Sequence, residues 1–237
     1  MIKNELLGKW GVYMNEQVLM NTLTSIDKDT DNMCPEIDKV FRAFHLTDPS
    51  RTQLVIVGQD PYPQKGVATG ILFGNKEGTK SEDLSPSLKV LKECILHPEI
   101  SSYRPSDEAR FDPTLESWVS QGILMINSAL TVKVNSPGSH QAAWREFTDT
   151  FIRMFSSDRT DVIWLFFGAQ AASFIPAVQN AACILKCEHP AYFARSNTRM
   201  TDDPFARINR FMKENMGTEF KWLLPEYDEE ETDDLPF

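Results

Sequence analysis

The sequence has no long apolar run, few histidines and no paired cysteines, and its positive charge falls short of its negative. The longest unbroken apolar run in the 237 residues is 162–167, six residues. A bilayer span needs about 20, so no membrane partner is expected. Lys9 and Asn15 interrupt the N-terminus before an apolar stretch of signal-peptide length can form. A cytoplasmic protein is the expectation. Four histidines, none at His-x-x-x-His spacing, argue against a metal enzyme, and no metal or other cofactor is expected. The cysteines (Cys34, Cys94, Cys183 and Cys187) are scattered, with no Cys-x-x-Cys pair. Free thiols in a reducing compartment are therefore expected. No internal repeat is visible.

Lys and Arg number 24 against 34 Asp and Glu, a formal net charge of −10. Over the whole chain, that argues against a protein that coats nucleic acid by charge. The deficit is not spread evenly, however. Residues 226–237 carry seven acids and no base, and residues 1–50 carry eight acids against five bases. Residues 51–225 hold 19 of each sign and are neutral.

The apolar fraction of 41% and charged fraction of 24% fit a soluble globular protein, and the length allows a substantial core. Four short apolar runs, 54–57, 123–126, 162–167 and 183–185, fit strands buried on both faces. Helical patterns lie between them. One is expected from Pro35, with Ile37, Val40, Phe41 and Phe44 on one face. Others start at Ser85-Pro86 and at Asp112-Pro113. A further helix carries Trp144, Phe147, Phe151 and Phe155. The last starts at Asp203-Pro204, carries Ile208, Phe211 and Met212, and closes at Gly217. Ser or Asp followed by Pro marks a helix start, because the side-chain oxygen accepts an orphan amide and proline needs no partner for one. Strands alternating with helices indicate an α/β domain with a parallel sheet. Residues 1–50 are read as a helical segment packed on this domain, 51–225 as the catalytic domain, and 226–237 as a disordered acidic tail.

Open α/β sheets bind ligands beyond the carboxyl ends of their strands. The four runs are followed there by Gly58-Gln59-Asp60-Pro61-Tyr62, Asn127, Gly168 and His189-Pro190. One edge thus gathers two amides, a carboxylate and an imidazole, a set that fits a hydrolase or ligand site. Gly58-Gln59-Asp60-Pro61-Tyr62, Phe73, Ser85-Pro86-Ser87-Leu88, Leu124-Met125-Ile126-Asn127, Leu130-Thr131-Val132, Ser139-His140 with Trp144, and His189-Pro190 together resemble family 1 uracil-DNA glycosylases. The likeness runs from about residue 50 to 225.

The resemblance implies a three-layer α/β/α fold around a central four-stranded parallel twisted sheet. It also implies a metal-free, monomeric enzyme that flips deoxyuridine out of single- or double-stranded DNA and hydrolyses its N-glycosidic bond. On that likeness Asp60 orients or activates water and stabilises the cationic sugar. His189 donates to uracil O2 as charge develops there. Asn127 pairs with the O4 and N3–H edge and rejects cytosine, while Gln59 assists at O2. Phe73 stacks on the base, and Tyr62 occupies the space a thymine methyl needs. Ser87 grips a phosphate at a helix start. Phe193 stands at the position of the apolar wedge that fills the hole left by the flipped base. His140 has a structural role.

The match is incomplete. Pro63 stands where the family usually has His. His189-Pro190-Ala191-Tyr192-Phe193 lacks the usual serine, and Gly168-Ala169 lacks another, which leaves Ser87 alone of three phosphate-gripping serines. Arg195, Arg199, Arg207 and Arg210 follow the wedge and could restore phosphate contacts. These changes spare base recognition and weaken the DNA grip, so a preference for single strands is expected. They also leave open a different class of function, a catalytically weak glycosylase-fold accessory protein. The terminal Asp233-Asp234-Leu235-Pro236-Phe237 resembles the C-terminal tip of bacterial single-stranded DNA-binding proteins. It is expected to bind replication or repair proteins, or to fold back on the DNA groove.

Overall fold

A computed structural model describes residues 2–96 and 105–226. The chain begins with helices α1 (Ile2–Leu7) and α2 (Glu16–Ile26), the short strand β1 (Met33–Cys34) and α3 (Arg42–Leu46). Next come β2 (Leu54–Gly58), α4 (Pro86–Leu96), α5 (Glu116–Val119) and β3 (Ile123–Asn127). The short β4 (Val132–Lys133), α6 (Gln141–Asp158), β5 (Ile163–Phe167), α7 (Gly168–Ala172) and β6 (Cys183–Cys187) follow. Helices α8 (Pro190–Ser196) and α9 (Pro204–Met216) complete the series.

The four principal strands pair in parallel in the order β3-β2-β5-β6. Their register sets Leu54 beside Ile123 and Ile163, and Gly58 beside Asn127. The carboxyl ends of the strands are therefore level, and the polar residues after them emerge along one edge. Alternate side chains of each strand feed two apolar layers. On one face Val55, Val57, Leu124, Ile126, Trp164 and Phe166 meet Trp10, Phe44 and the buried face of α6. On the other, Leu54, Ile56, Met125, Leu165 and Phe167 meet α4, α5 and α9 through Leu88, Trp118 and Ile208. The result is the expected three-layer α/β/α arrangement around a four-stranded parallel sheet.

Several helix starts follow the residue chemistry closely. Asp203 accepts the amides of Phe205 and Ala206 at 2.9 and 3.0 Å, and Gly217 closes α9 at φ +67°. Asp112 likewise accepts from Thr114 and Ser117, each at 2.8 Å. The helix there nevertheless begins only at Glu116, because Leu115 sits in the left-handed region at φ +60°.

Two expectations change. β6 is an edge strand rather than one buried on both faces: Leu185 and Cys187 are buried, whereas Ile184 and Lys186 are exposed. Among the described residues no neighbour covers its outer face, so only alternate residues enter the core. The segment after Pro35 is also no single helix. It is a 3-10 turn over Ile37–Lys39 followed by α3, with Ile37 68% exposed while Val40, Phe41 and Phe44 are buried. The loop bearing Thr69 and Gly70 presses on this break. A Cβ on Gly70 would lie 2.1 Å from the Lys39 carbonyl oxygen, and Arg42 donates to the Thr69 carbonyl at 3.2 Å. Periodicity cannot encode a contact between segments so far apart in the chain. Of the acidic tail expected over residues 226–237, all but Glu226 lies outside the described residues.

The N-terminal segment is built into the core. Trp10 is fully buried, packs edge-on against Phe155 at 4.9 Å and Phe44 at 5.9 Å, and donates its indole N–H to the Thr47 carbonyl at 3.2 Å. Trp10→Ala is expected to cost about 3–5 kcal/mol of folding stability through the cavity it leaves. Urea unfolding of the two proteins measures this, and a loss below about 1 kcal/mol would mean that the segment is peripheral.

Candidate active site

The level strand ends enclose a cleft of about 560 Å³, lined by Gln59, Asp60, Tyr62, Phe73, Asn127 and His189. Ser87 and Arg195 also line it. Its volume is that of a small-molecule site. The loop after β2 supplies the first four side chains, β3 ends in Asn127, and the turn after β6 supplies His189.

Asp60 is half-buried. It accepts the Gly138 amide at 2.7 Å, the Gln141 amide at 3.3 Å on each carboxylate oxygen, and the Gln59 amide at 3.4 Å. Burial pushes its carboxyl above the usual range, and the donors from Gln141, Gly138 and Gln59 oppose that rise. The outcome is a partly desolvated carboxylate, more basic than a surface one, facing the cleft.

His189 caps α8. Its Nδ1 accepts the Ala191 amide at 3.1 Å, so the neutral ring carries its proton on Nε2. Burial, aided by the charge of Arg195, pulls its pKa down to about 4. The imidazole is therefore neutral at physiological pH and is a donor through Nε2. The close approach of α7 fixes its place: Gly168 has φ +84°, and a Cβ there would lie 2.9 Å from the His189 Cβ.

Asn127 has a buried carboxamide oxygen with no hydrogen-bond partner among the described residues. A lone buried acceptor costs about 1–3 kcal/mol, which a ligand donor can recover. Phe73 is held at φ +63°, a strained conformation for a non-glycine residue. Its ring packs edge-on against Phe167 at 5.6 Å and His189 at 5.5 Å. The Tyr62 hydroxyl donates to the Phe73 carbonyl at 3.2 Å, and burial pushes its pKa far up, so the phenol stays neutral. Tyr62 is thereby fixed as a wall of the cleft.

Ser87 is buried in the first turn of α4, whose start is held by reciprocal bonds between Asn75 and Ser85 at 2.6 and 2.8 Å. His140 is buried between Thr131 at 2.9 Å and Asp29 at 3.3 Å. Eight of the nine sequence-predicted site residues thus line one cleft. The ninth, Phe193, does not line it. It is half-buried against the α4 and α9 side of the core, beside Cys187 and Met200 in another cavity. Its neighbour Tyr192 is the exposed ring of the pair, at 53%. Among the arginines that follow, Arg207 is held by Asp202 at 2.9 Å. Helix α8 is not expected from the sequence reading, because His189 is no Ser or Asp cap; it shares with α9 only the proline at its first position.

The His189 ring is expected to titrate near pH 4 and to hold its proton on Nε2 above that value. Nitrogen-15 chemical shifts of the imidazole across pH 3–8 check both points. A pKa above 6 would mean that the ring is not desolvated.

A profile of the family described as "Uracil DNA glycosylase superfamily" matches residues 44–213. A uracil-DNA glycosylase of Brevibacillus brevis is 32% identical over 207 residues, 85% of each chain. One of Clostridium beijerinckii is 30% identical over 228 residues, 92% of this chain and 97% of the relative. The crystal structure of mimivirus uracil-DNA glycosylase superposes with a TM-score of 0.69 at 20% identity, covering 92% of this chain and 90% of the other, a likeness of fold. With the family profile spanning most of the chain and relatives at 30% identity or more matched over at least 85% of each chain, the protein belongs to the uracil DNA glycosylase superfamily.

Proposed function

We propose that this chain is a uracil-DNA glycosylase of base-excision repair, of the family 1 type. It takes a deoxyuridine flipped out of DNA, hydrolyses the bond between uracil N1 and the sugar C1′, and leaves an abasic site. The observation that carries this reading is the unpartnered, buried Asn127 oxygen. It shares one cleft with a partly buried carboxylate and a neutral imidazole.

Uracil supplies what the cleft lacks. Its N3–H donates to the Asn127 oxygen, and its O4 accepts from the same carboxamide. Cytosine reverses both groups and leaves that oxygen unpaired. Tyr62 walls off the place where thymine carries a methyl. Phe73 gives the base a stacking face. As the C1′–N1 bond breaks, negative charge grows on uracil O2 and positive charge on the sugar. Nε2–H of His189 donates to that oxygen, and a neutral donor avoids the cost of burying a cation. Asp60 faces the cationic sugar and takes the proton of the water that attacks C1′. Balance is simple: water adds OH to C1′, uracil leaves as its anion and is protonated after release.

On the DNA side, Ser87 at the α4 start is proposed to hold a phosphate, and exposed Arg195 a second one. A wedge role for Phe193 requires its ring to leave the core. Tyr192 already presents a free aromatic face on the same helix turn. The acidic end, read from sequence alone, is proposed to engage a replication or repair protein. Among the described residues no helix is long and apolar enough to cross a membrane, and action in the cytoplasm is proposed.

Incubation with a uracil-containing oligonucleotide is expected to release free uracil, faster from a single strand than from a duplex. Asp60→Asn and His189→Ala should each lower kcat by about 10²–10³-fold. No release from either strand form would overturn the glycosylase reading in favour of an accessory protein, and equal or better cleavage of duplex would refute the strand preference. Removal of residues 226–237 is expected to change DNA affinity at low salt or binding to single-stranded DNA-binding-protein partners. If both stay the same, the tail only confers solubility.

A further inference from the structure

Asp60 has to stay ionised where burial favours its protonated form, and Pro63, three residues on, offers no side-chain donor. Besides the adjacent Gln59, the donors come from the loop before α6 and from the helix's first residue. We propose that Gln141 is the positioning residue of the reaction, its carboxamide clamping the Asp60 carboxylate together with the Gly138 amide. This inference rests on the glycosylase reading above.

The geometry is specific to orientation. Gln141 Nε2 lies 3.3 Å from both Asp60 oxygens, and the Gly138 N–H adds a 2.7 Å bond to Oδ2. A donor that bridges both oxygens restrains rotation of the carboxylate plane, which one bond to a single oxygen does not. Gly138 reaches its position at φ +81°, and its carbonyl accepts the Gln141 backbone amide at 3.2 Å, so both donors belong to one turn. The donors favour the ionised form of Asp60, against the desolvation that raises its pKa.

The turn is anchored on both sides. Ser139 Oγ accepts the Lys133 amide at 2.8 Å. Next in the chain, buried His140 joins Thr131 at 2.9 Å and Asp29 at 3.3 Å. Thr131 Oγ1 accepts the Trp144 indole N–H at 2.7 Å, and Lys133 pairs with Asp29 at 3.1 Å. Asp29 belongs to the N-terminal segment, so that segment reaches the catalytic carboxylate through His140 and the Gly138–Gln141 turn that contains it. Among the described residues His140, behind this turn, bears electrostatically on Asp60, and His189, Arg195 and the neutral Tyr62 line the same cleft.

The test is uracil release by the full-length chain from a single-stranded oligonucleotide, with kcat and KM followed from pH 4 to 9. Gln141→Met keeps side-chain length and helix propensity but removes both donors. It is expected to lower kcat at neutral pH by about 10- to 100-fold, the loss of charge-assisted bonds, with KM within about threefold. Its acid limb should move to higher pH, so that raising the pH restores part of the rate. Gln141→Glu sets a like charge beside Asp60 and should move the limb further in the same direction. Gln141→Asn retains a carboxamide and should recover part of the loss. Should Gln141→Met fail to fold, the limb of Gln141→Glu decides alone. An active wild-type chain whose Gln141 variants keep its limb and kcat overturns this inference and spares the glycosylase reading, as does a fall in kcat that is the same at every pH. A wild-type chain that releases no uracil overturns the glycosylase reading itself.

Discussion

A carboxylate must remain charged inside a cleft that is mostly apolar, and the architecture around Asp60 answers that one constraint. Desolvation favours the protonated group and so works against its use as a water-orienting base or as a counter-charge to a cationic sugar. Donors therefore converge on it from its own loop and from the turn before α6. His189 meets the opposite requirement. It is desolvated into neutrality, which suits a group that must donate without carrying a charge into the cleft. The two residues are pushed in complementary directions by the same environment, a pattern that separates roles at a catalytic site.

These placements depend on the parallel sheet. Because Gly58 and Asn127 stand side by side in register, the residues after β2 and the last residue of β3 open on a common edge. β5 and β6 bring Gly168 and His189 to that edge, with the absence of a side chain at Gly168 letting the imidazole approach. The fold positions the chemistry by strand register, and the short loops supply only the last few ångströms.

Much of this was legible in the residues. Asp203-Pro204 with Gly217, and Ser85-Pro86, specify helix ends by local hydrogen bonding, and local bonding is what a sequence displays. The apolar runs gave the strands of the sheet. Less legible were features set by neighbours. The single buried face of β6 follows from its place at the sheet edge. The break after Pro35 lies where Gly70, lacking a Cβ, approaches the Lys39 carbonyl closely. The half-buried setting of Phe193, with Tyr192 free beside it, follows from which face of α8 meets the core. The net charge behaves similarly: a figure of −10 does not describe the neutral region that forms the cleft.

By itself the sequence determined the α/β class, the helix caps and the identity of the groups at the strand ends, because each depends on residue type and near neighbours. It also carried the motifs that mark the superfamily. Only the tertiary structure decided which groups share a hydrogen bond. Gln141 lies far along the chain from Asp60, and Asp29 farther still from His140, and nothing in their spacing announces a contact. Those contacts exist because helices on one face of the sheet pack the N-terminal segment and the start of α6 against the loop after β2. The shifts of Asp60 and His189 toward their neutral forms follow from burial, and burial is a property of the assembled fold.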